Sequence, residues 1–409
     1  LDLTRQMTAA DAVHWRARFG DPRLTGEGAV VCDIDSGIDV LHPMFFHADG
    51  GLFTWRDENQ NGALDPGVDT VEIDGSIYVL RALNGIVSRS GDPKPLFGTD
   101  APELDLALDY LFADLNDDGV RNVGRMWGFG EDSPSLGEPL FVVDDVDGDG
   151  GVGEGEKLVA LGSSKVRAFR FGDDVYRRGV NLLDAPWSPS MQHGNGAAGV
   201  LVGGQPQHRS FAGIAPGADV VVAADPMGGR EVSMTSFCID EGARVVLHEY
   251  APWVTFHLDG SSDLEALIDE TVEEGIVHVN PAGNLSGSGK GYKGVIPAGG
   301  ALDIPIEVPA EGASFLVLTL LVRDPARPLD VQIANPAGET IAFGTSVSTF
   351  EGTLGGFTAF GTVEASSRGT TKFDVYLMPS QMFQPLPPGA WSVSVDAIEG
   401  GAGPLDIVG

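Results

Sequence analysis

Val30-Val31-Cys32-Asp33-Ile34-Asp35-Ser36-Gly37-Ile38-Asp39 is the stretch whose reading decides the fold. An apolar run broken by Asp-Ser-Gly reads as a buried strand ending at a turn. Carboxylates at the C-terminal edge of a parallel sheet stand where α/β folds place their chemistry. Two later stretches have a related character. In His193-Gly194-Asn195-Gly196-Ala197-Ala198-Gly199-Val200 a histidine opens a helix of small residues, and Val277-His278-Val279-Asn280-Pro281-Ala282-Gly283-Asn284 is a further strand running into polar residues. Between them, strands are expected over 220–223 and 243–250 and helices over 231–241 and 263–274, the last with Leu264, Leu267, Ile268 and Val272 on one face. Alternation of this kind implies βαβ units and an α/β fold built on a doubly wound parallel sheet.

The chain has 409 residues, 42% of them apolar, enough for two or three domains with cores of their own. Its formal net charge of −34 repels nucleic acid and anionic membrane surfaces, so neither is an expected partner. The longest apolar run, Phe315 to Val322, has the length of a strand, which leaves no membrane span to be read. The chain opens at Leu1 and reads as a processed or excised piece. Cys32 falls on the first core strand and Cys238 in a helical stretch, and both are expected as buried free thiols.

The region 46–188, between the Asp and His stretches, is acidic and rich in glycine and carries three Asp-x-Asn/Asp-x-Asn/Asp-Gly loops. Asp145, Asp147 and Asp149 with Gly150, the carbonyl of Gly151 and Glu156 at the twelfth position complete an EF-hand-type calcium pattern. Asp57, Asn59, Asn61 and Asp65 match its front half, as do Asp114, Asn116 and Asp118, but Val68 and Arg125 stand at their twelfth positions. Ca2+ is the expected ion; the competing reading is a set of Asx turns in which the side chains cap their own backbone. Leu104, Leu108, Leu111 and Phe112 have helical spacing and predict a packed helix over 102–113, inside a calcium-ordered insert. Beyond about Gly294 the texture changes to short strands separated by Pro, Gly and Ser, at 304–308, 315–322, 329–333 and 391–395, which predicts a β-sandwich or jelly roll.

Taken in order, the Asp, His and Asn stretches, with Gly213-Ile214-Ala215-Pro216-Gly217-Ala218 after the His helix, resemble the subtilisin-like serine proteases, the subtilases. The resemblance implies a subtilisin-type catalytic domain from 1–45 and 189–295, interrupted by the insert at 46–188 and followed by a β-sandwich at 296–409. It implies peptide-bond hydrolysis on a protein or peptide substrate, and the acidic surface with its calcium-type loops points outside the cytosol, to a secreted or cell-envelope protein. Asp35 would then orient the base, His193 would act as general base and then acid, and Asn284 would donate to the oxyanion. The chain order Asp before His agrees with the subtilisin arrangement. Bland readings stand beside these: a strand-ending turn at Asp35, a helix-opening histidine at 193, and a glycosylation sequon at Asn284-Leu285-Ser286. Asp33 and Asp39 read as neighbouring structural or calcium-associated carboxylates.

One part of the family pattern is missing. The nucleophile of subtilases lies in Gly-Thr-Ser-x-Ala-x-Pro at the start of a helix, whereas Gly344-Thr345-Ser346 is followed by Val347-Ser348-Thr349 and by Gly352, Gly355 and Gly356, which break a helix. Ser346 therefore reads as a loop residue, and the serine is expected beyond Gly409, with a catalytically inactive, subtilase-like binding module as the alternative. Where the family has a Ser-Leu-Gly edge this chain has Glu249-Tyr250-Ala251, and Glu249 suggests either a basic side chain in the substrate or exposed surface charge.

Overall fold

The computed structural model describes residues 7–8, 10, 13, 22–83, 109–206, 208, 212–250, 254–296, 300–311, 313–323, 329–344, 347–379, 385–397 and 403–408. Ser346 lies outside these. The chain divides into two compact units: residues 1–250 with 272–280, and residues 251–271 with 281–409.

The first unit is built around β1 (Val30–Ile34). Next in the chain come seven strands of one antiparallel sheet. They are β2 (Leu52–Phe53), β3 (Trp55–Arg56), β4 (Thr70–Ile73), β5 (Ser76–Leu83), β6 (Tyr110–Asp114), β7 (Leu140–Asp144) and β8 (Lys157–Leu161), arranged 2-8-7-6-5-4-3. A second sheet takes β9 (Val166–Phe171), β10 (Asp174–Arg177), β11 (Asp219–Ala224), β12 (Val245–His248) and β13 (Val277–Val279) together with β1, in the order 10-9-11-1-12-13. All its pairings are parallel except β10 with β9.

Helices cover both faces of that second sheet. Helix α1 (Gln192–Val202) packs Ala198 and Val202 into one core with Val220, Val222 and Ala224 of β11. Helix α2 (Glu231–Asp240) packs Met234, Phe237 and Cys238 against Cys32, Ile34, Val221 and Ala223 on the other face. Alternate residues of one strand thus serve two cores, which is why β11 is apolar from Val220 to Ala224 and β1 is apolar except at Asp33. Helix α3 (Asp263–Glu273) precedes β13.

Three readings change here. The helix expected over 102–113 is, in its described part, the strand β6, whose residues are all buried. Tyr110 and Phe112 face one core while Leu111 and Ala113 face another; a short apolar run buried on both sides carries no usable period. Cys32 and Cys238 are not free thiols but are joined in a disulfide, their Cα atoms 5.8 Å apart, tying the central strand to α2. Residues 46–188 do not fold apart either. Strands β9 and β10 enter the mixed sheet, and Phe45, Tyr110, Phe112, Leu140 and Val142 share one core with Val220 and Val222.

The second unit is all strand from Gly291 onward among its described residues: β14 (Gly291–Ile296), β15 (Ala301–Val308), β16 (Leu316–Val322), β17 (Leu329–Ala334), β18 (Thr340–Gly344), β19 (Thr349–Leu354), β20 (Phe357–Ala365), β21 (Thr371–Pro379), β22 (Gly389–Ala397) and β23 (Gly403–Val408). They form two antiparallel sheets, 14-23-16-21-20-19 and 15-22-17-18. Residues of both sheets, among them Leu320, Phe373, Val331, Val393 and Trp391, share one apolar cluster.

Candidate active site

Asp35 stands one residue past the end of β1, held by its amide donating to the Ala223 carbonyl at 3.0 Å. Its side chain is only 4% exposed, and its oxygens lie 2.7 and 2.9 Å from His193 Nδ1. His193 is the second residue of α1, and its side chain is 67% exposed, so the ring is fixed on the buried side and open on the other. The hydrogen bond to Asp35 and that carboxylate's charge raise the His193 pKa above its ordinary value, and burial opposes the shift. An imidazole held at Nδ1 by a buried carboxylate presents Nε2 for proton transfer, which is the orientation a general base needs.

Glycine makes this approach possible. A Cβ on Gly194 would stand 2.2 Å from the Gly37 carbonyl oxygen, so only a glycine after the histidine lets α1 sit on the turn after Asp35. Gly37 itself has φ +103°, a left-handed conformation that other residues adopt at a cost. Side chains then lock the junction. Ser36 Oγ accepts from the Gly194 amide at 3.0 Å, the Asp39 amide donates to Asn195 Oδ1 at 2.8 Å, and Tyr250 Oη donates to the Asp35 carbonyl at 3.0 Å. At the other end of α1 the buried Lys165 Nζ donates to the carbonyls of Val202, at 2.7 Å, and Gly204. Burial pushes this amine down to about 7, while the unpaired carbonyls of a helix C-terminus favour its charged form.

Two carboxylates crowd the pair. Glu249 follows β12, its amide donating to the Ile34 carbonyl at 3.1 Å, and its carboxylate stands with Asp35 and His193. Asp33 is fully buried, and burial together with the charges of Asp35 and Glu249 raises its pKa well above the usual carboxylate range. Asn284 is exposed and belongs to the second unit. No hydroxyl hydrogen-bonds to His193 among the described residues.

The loops differ in their fitness for calcium. Asp145, Asp147 and Asp149 sit in the connection from β7 to β8, with one oxygen of each within 4.8 Å of the others, a hard-oxygen cluster suited to Ca2+. Gly151 follows in the same loop, its amide donating to Asp149 Oδ1 at 2.7 Å. Glu156 is buried and accepts from the amides of Val146 at 2.7 Å and Gly153 at 2.8 Å. In the first loop Asp57 accepts from the Gly62 amide at 2.7 Å, and Asn59 and Asn61 donate to Asp65 at 2.7 and 2.6 Å, the Asx-turn pattern. In the Asp114 loop the Arg81 guanidinium lies on the Asp114 carboxylate and reaches Asp117 at 2.7 Å, so a protein cation already stands there; Asn116 donates to Asp118 at 3.0 Å.

Sequence reasoning passed over His248 and His278. His248 Nε2 lies 3.0 Å from His278 Nδ1 across β12 and β13, so one ring donates and the other accepts. Burial, with the neighbouring ring, pushes His248 down to about 4. The signal available was two histidines near the ends of consecutive parallel strands.

Two outcomes follow from this geometry. Gly194→Ala should cost about 1–3 kcal/mol by overpacking and separate α1 from the Asp35 turn. In an NMR titration the His193 pKa should then fall toward the ordinary value, and an unchanged titration would contradict the account. The His248 shift predicts a stability contribution that is fully present above the ordinary histidine pKa of about 6.5. It is lost as pH falls toward about 4, because the unfolded chain takes up the proton first. Chemical denaturation at pH 7 and pH 4.5 should show a larger loss for wild type than for His248→Gln, by roughly 2–3 kcal/mol; parallel losses would contradict it.

Comparison with known proteins fits this geometry. The family model described as "Subtilase family" matches residues 26–377. No curated protein matches the chain. Among solved structures, that of the Clostridium perfringens CspB protease is similar in fold, with a TM-score of 0.55 at 14% identity over 94% of this chain. This chain spans 63% of the length of that one. With the family model covering most of the sequence and the Asp-turn and His-helix in contact, the chain belongs to the subtilase family.

Proposed function

We propose that the chain is the main part of a subtilisin-like serine endopeptidase. The observation that carries this reading is the 2.7 Å hydrogen bond from His193 Nδ1 to a buried Asp35 carboxylate, with the far side of the ring open. In this mechanism His193 takes the proton of a serine hydroxyl as it attacks the peptide carbonyl. Asp35 steadies the imidazolium that forms, and His193 then returns the proton to the leaving amine. Asn284 is assigned the donation of a side-chain N–H to the oxyanion, worth about 2.7–4 kcal/mol in enzymes of this type. The nucleophile is assigned to a segment other than the described residues. The two-sheet unit is read as an accessory β-sandwich. The Asp145 loop is read as a calcium site that braces the connection from β7 to β8, using Asp145, Asp147, Asp149 and the Gly151 carbonyl. Secretion or attachment to the cell envelope is supported by the buried Cys32–Cys238 disulfide and by a calcium loop suited to millimolar calcium. Among the described residues no helix is long and apolar enough to cross a membrane.

A fluorophosphonate probe tests the hydrolytic reading. Applied to the full-length gene product in calcium, it should label one serine other than Ser346, outside the described residues, and His193→Ala should reduce labelling at least 100-fold. Labelling of Ser346 would assign the nucleophile to the strand-rich unit instead. Silence from the full-length product would favour the rival reading, a binding module without catalysis, which the absence of a hydroxyl on His193 among the described residues motivates. For the metal, EGTA should lower the melting temperature by several degrees and Asp147→Asn should remove most of that response; a melting curve indifferent to EGTA contradicts the calcium assignment.

A further inference from the structure

The site holds more negative charge than acyl transfer uses. Asp35 is committed to His193, but Glu249 and Asp33 are not. Asp33 lies two residues before Asp35, on the side of β1 turned toward α1. It is wholly buried, neither carboxylate oxygen has a hydrogen-bond partner, and the charges of both Asp35 and Glu249 act on it. Among the described residues no lysine or arginine pairs with Asp33, Asp35 or Glu249. Asp35 and Glu249 thus share a single imidazole, and Asp33 lies buried two residues before Asp35 with no partner for its oxygens.

One donor atom each from Asp35, His193 and Glu249 lies within 4.8 Å of the other two. We propose that these three side chains form a capture site for a divalent transition-metal ion, with zinc the best match. A set of one imidazole nitrogen and two carboxylate oxygens suits zinc, whereas calcium takes six to eight oxygens, so the two ions are sorted between this site and the Asp145 loop. Tetrahedral zinc needs its donors about 3.3 Å apart. His193 Nδ1 already lies 2.7 Å from Asp35, so that pair must open slightly, and the shift falls on His193, whose side chain is 67% exposed, rather than on Asp35, which is 4% exposed and fixed by the backbone. An ion held there withdraws His193 from its hydrogen bond to Asp35, whichever reaction that pair serves. Binding depends on the three side chains alone and not on the hydrolytic reading.

The test is titration calorimetry of zinc chloride into the whole chain in saturating calcium, with diethylpyrocarbonate modification of His193 followed by mass spectrometry. The expected result is one zinc per chain at micromolar affinity, with His193 protected at least tenfold. Glu249→Gln should weaken binding tenfold or more, and His193→Ala should abolish it, while circular dichroism shows both variants folded. Absence of binding, or binding of equal strength in wild type and both folded variants, overturns the site.

Discussion

The near-contact of two glycines governs this molecule. Gly37 ends the central strand's turn and Gly194 begins the histidine helix, and a single added carbon at 194 would collide with the carbonyl of 37. Because the backbones can touch, Asp35 and His193 meet across 158 residues of chain. Ser36, Asn195 and Tyr250 then hold the junction, and Lys165 closes the far end of the helix. A dyad positioned by backbone contact is more rigid than one resting on side-chain packing alone, which suits a base whose orientation sets its reactivity.

The long segment between the Asp35 and His193 stretches is part of the same structural logic. Its seven-stranded sheet buries Tyr110, Phe112 and Leu140 in the core that also holds β11 and α1. The acidic loops hang from the ends of these strands, so charge is displayed where the chain turns and apolar residues are kept for the sheet. In the Asp114 loop Arg81 already stands on the acids, and in the Asp57 loop the Asn59 and Asn61 side chains donate to Asp65, whereas the three carboxylates of the Asp145 loop gather on backbone amides.

Much of this was legible in the sequence. Val30–Ile34 is apolar but for Asp33, and its end at Asp35-Ser36-Gly37 marks both the strand and the site. His193-Gly194 carried its meaning in the glycine as much as in the histidine. What stayed hidden depends on relations across the sheet. Leu111 and Phe112 face different cores, so their spacing imitates a helix. Cys32 and Cys238 are 206 residues apart, and nothing local shows that α2 crosses the face of β1 that holds Cys32. His248 and His278 look ordinary one at a time and become a hydrogen-bonded pair only when β12 and β13 align. The approach of Glu249 to Asp35 and His193 was invisible for the same reason.

The central claim is that Asp35 holds His193 through its Nδ1 proton, and proton NMR in water reads that bond directly. The account predicts a strongly downfield imidazole N–H resonance that disappears in His193→Ala and moves upfield in Asp35→Asn. Absence of that resonance from the folded wild-type chain, or its persistence unchanged in Asp35→Asn, would contradict the account.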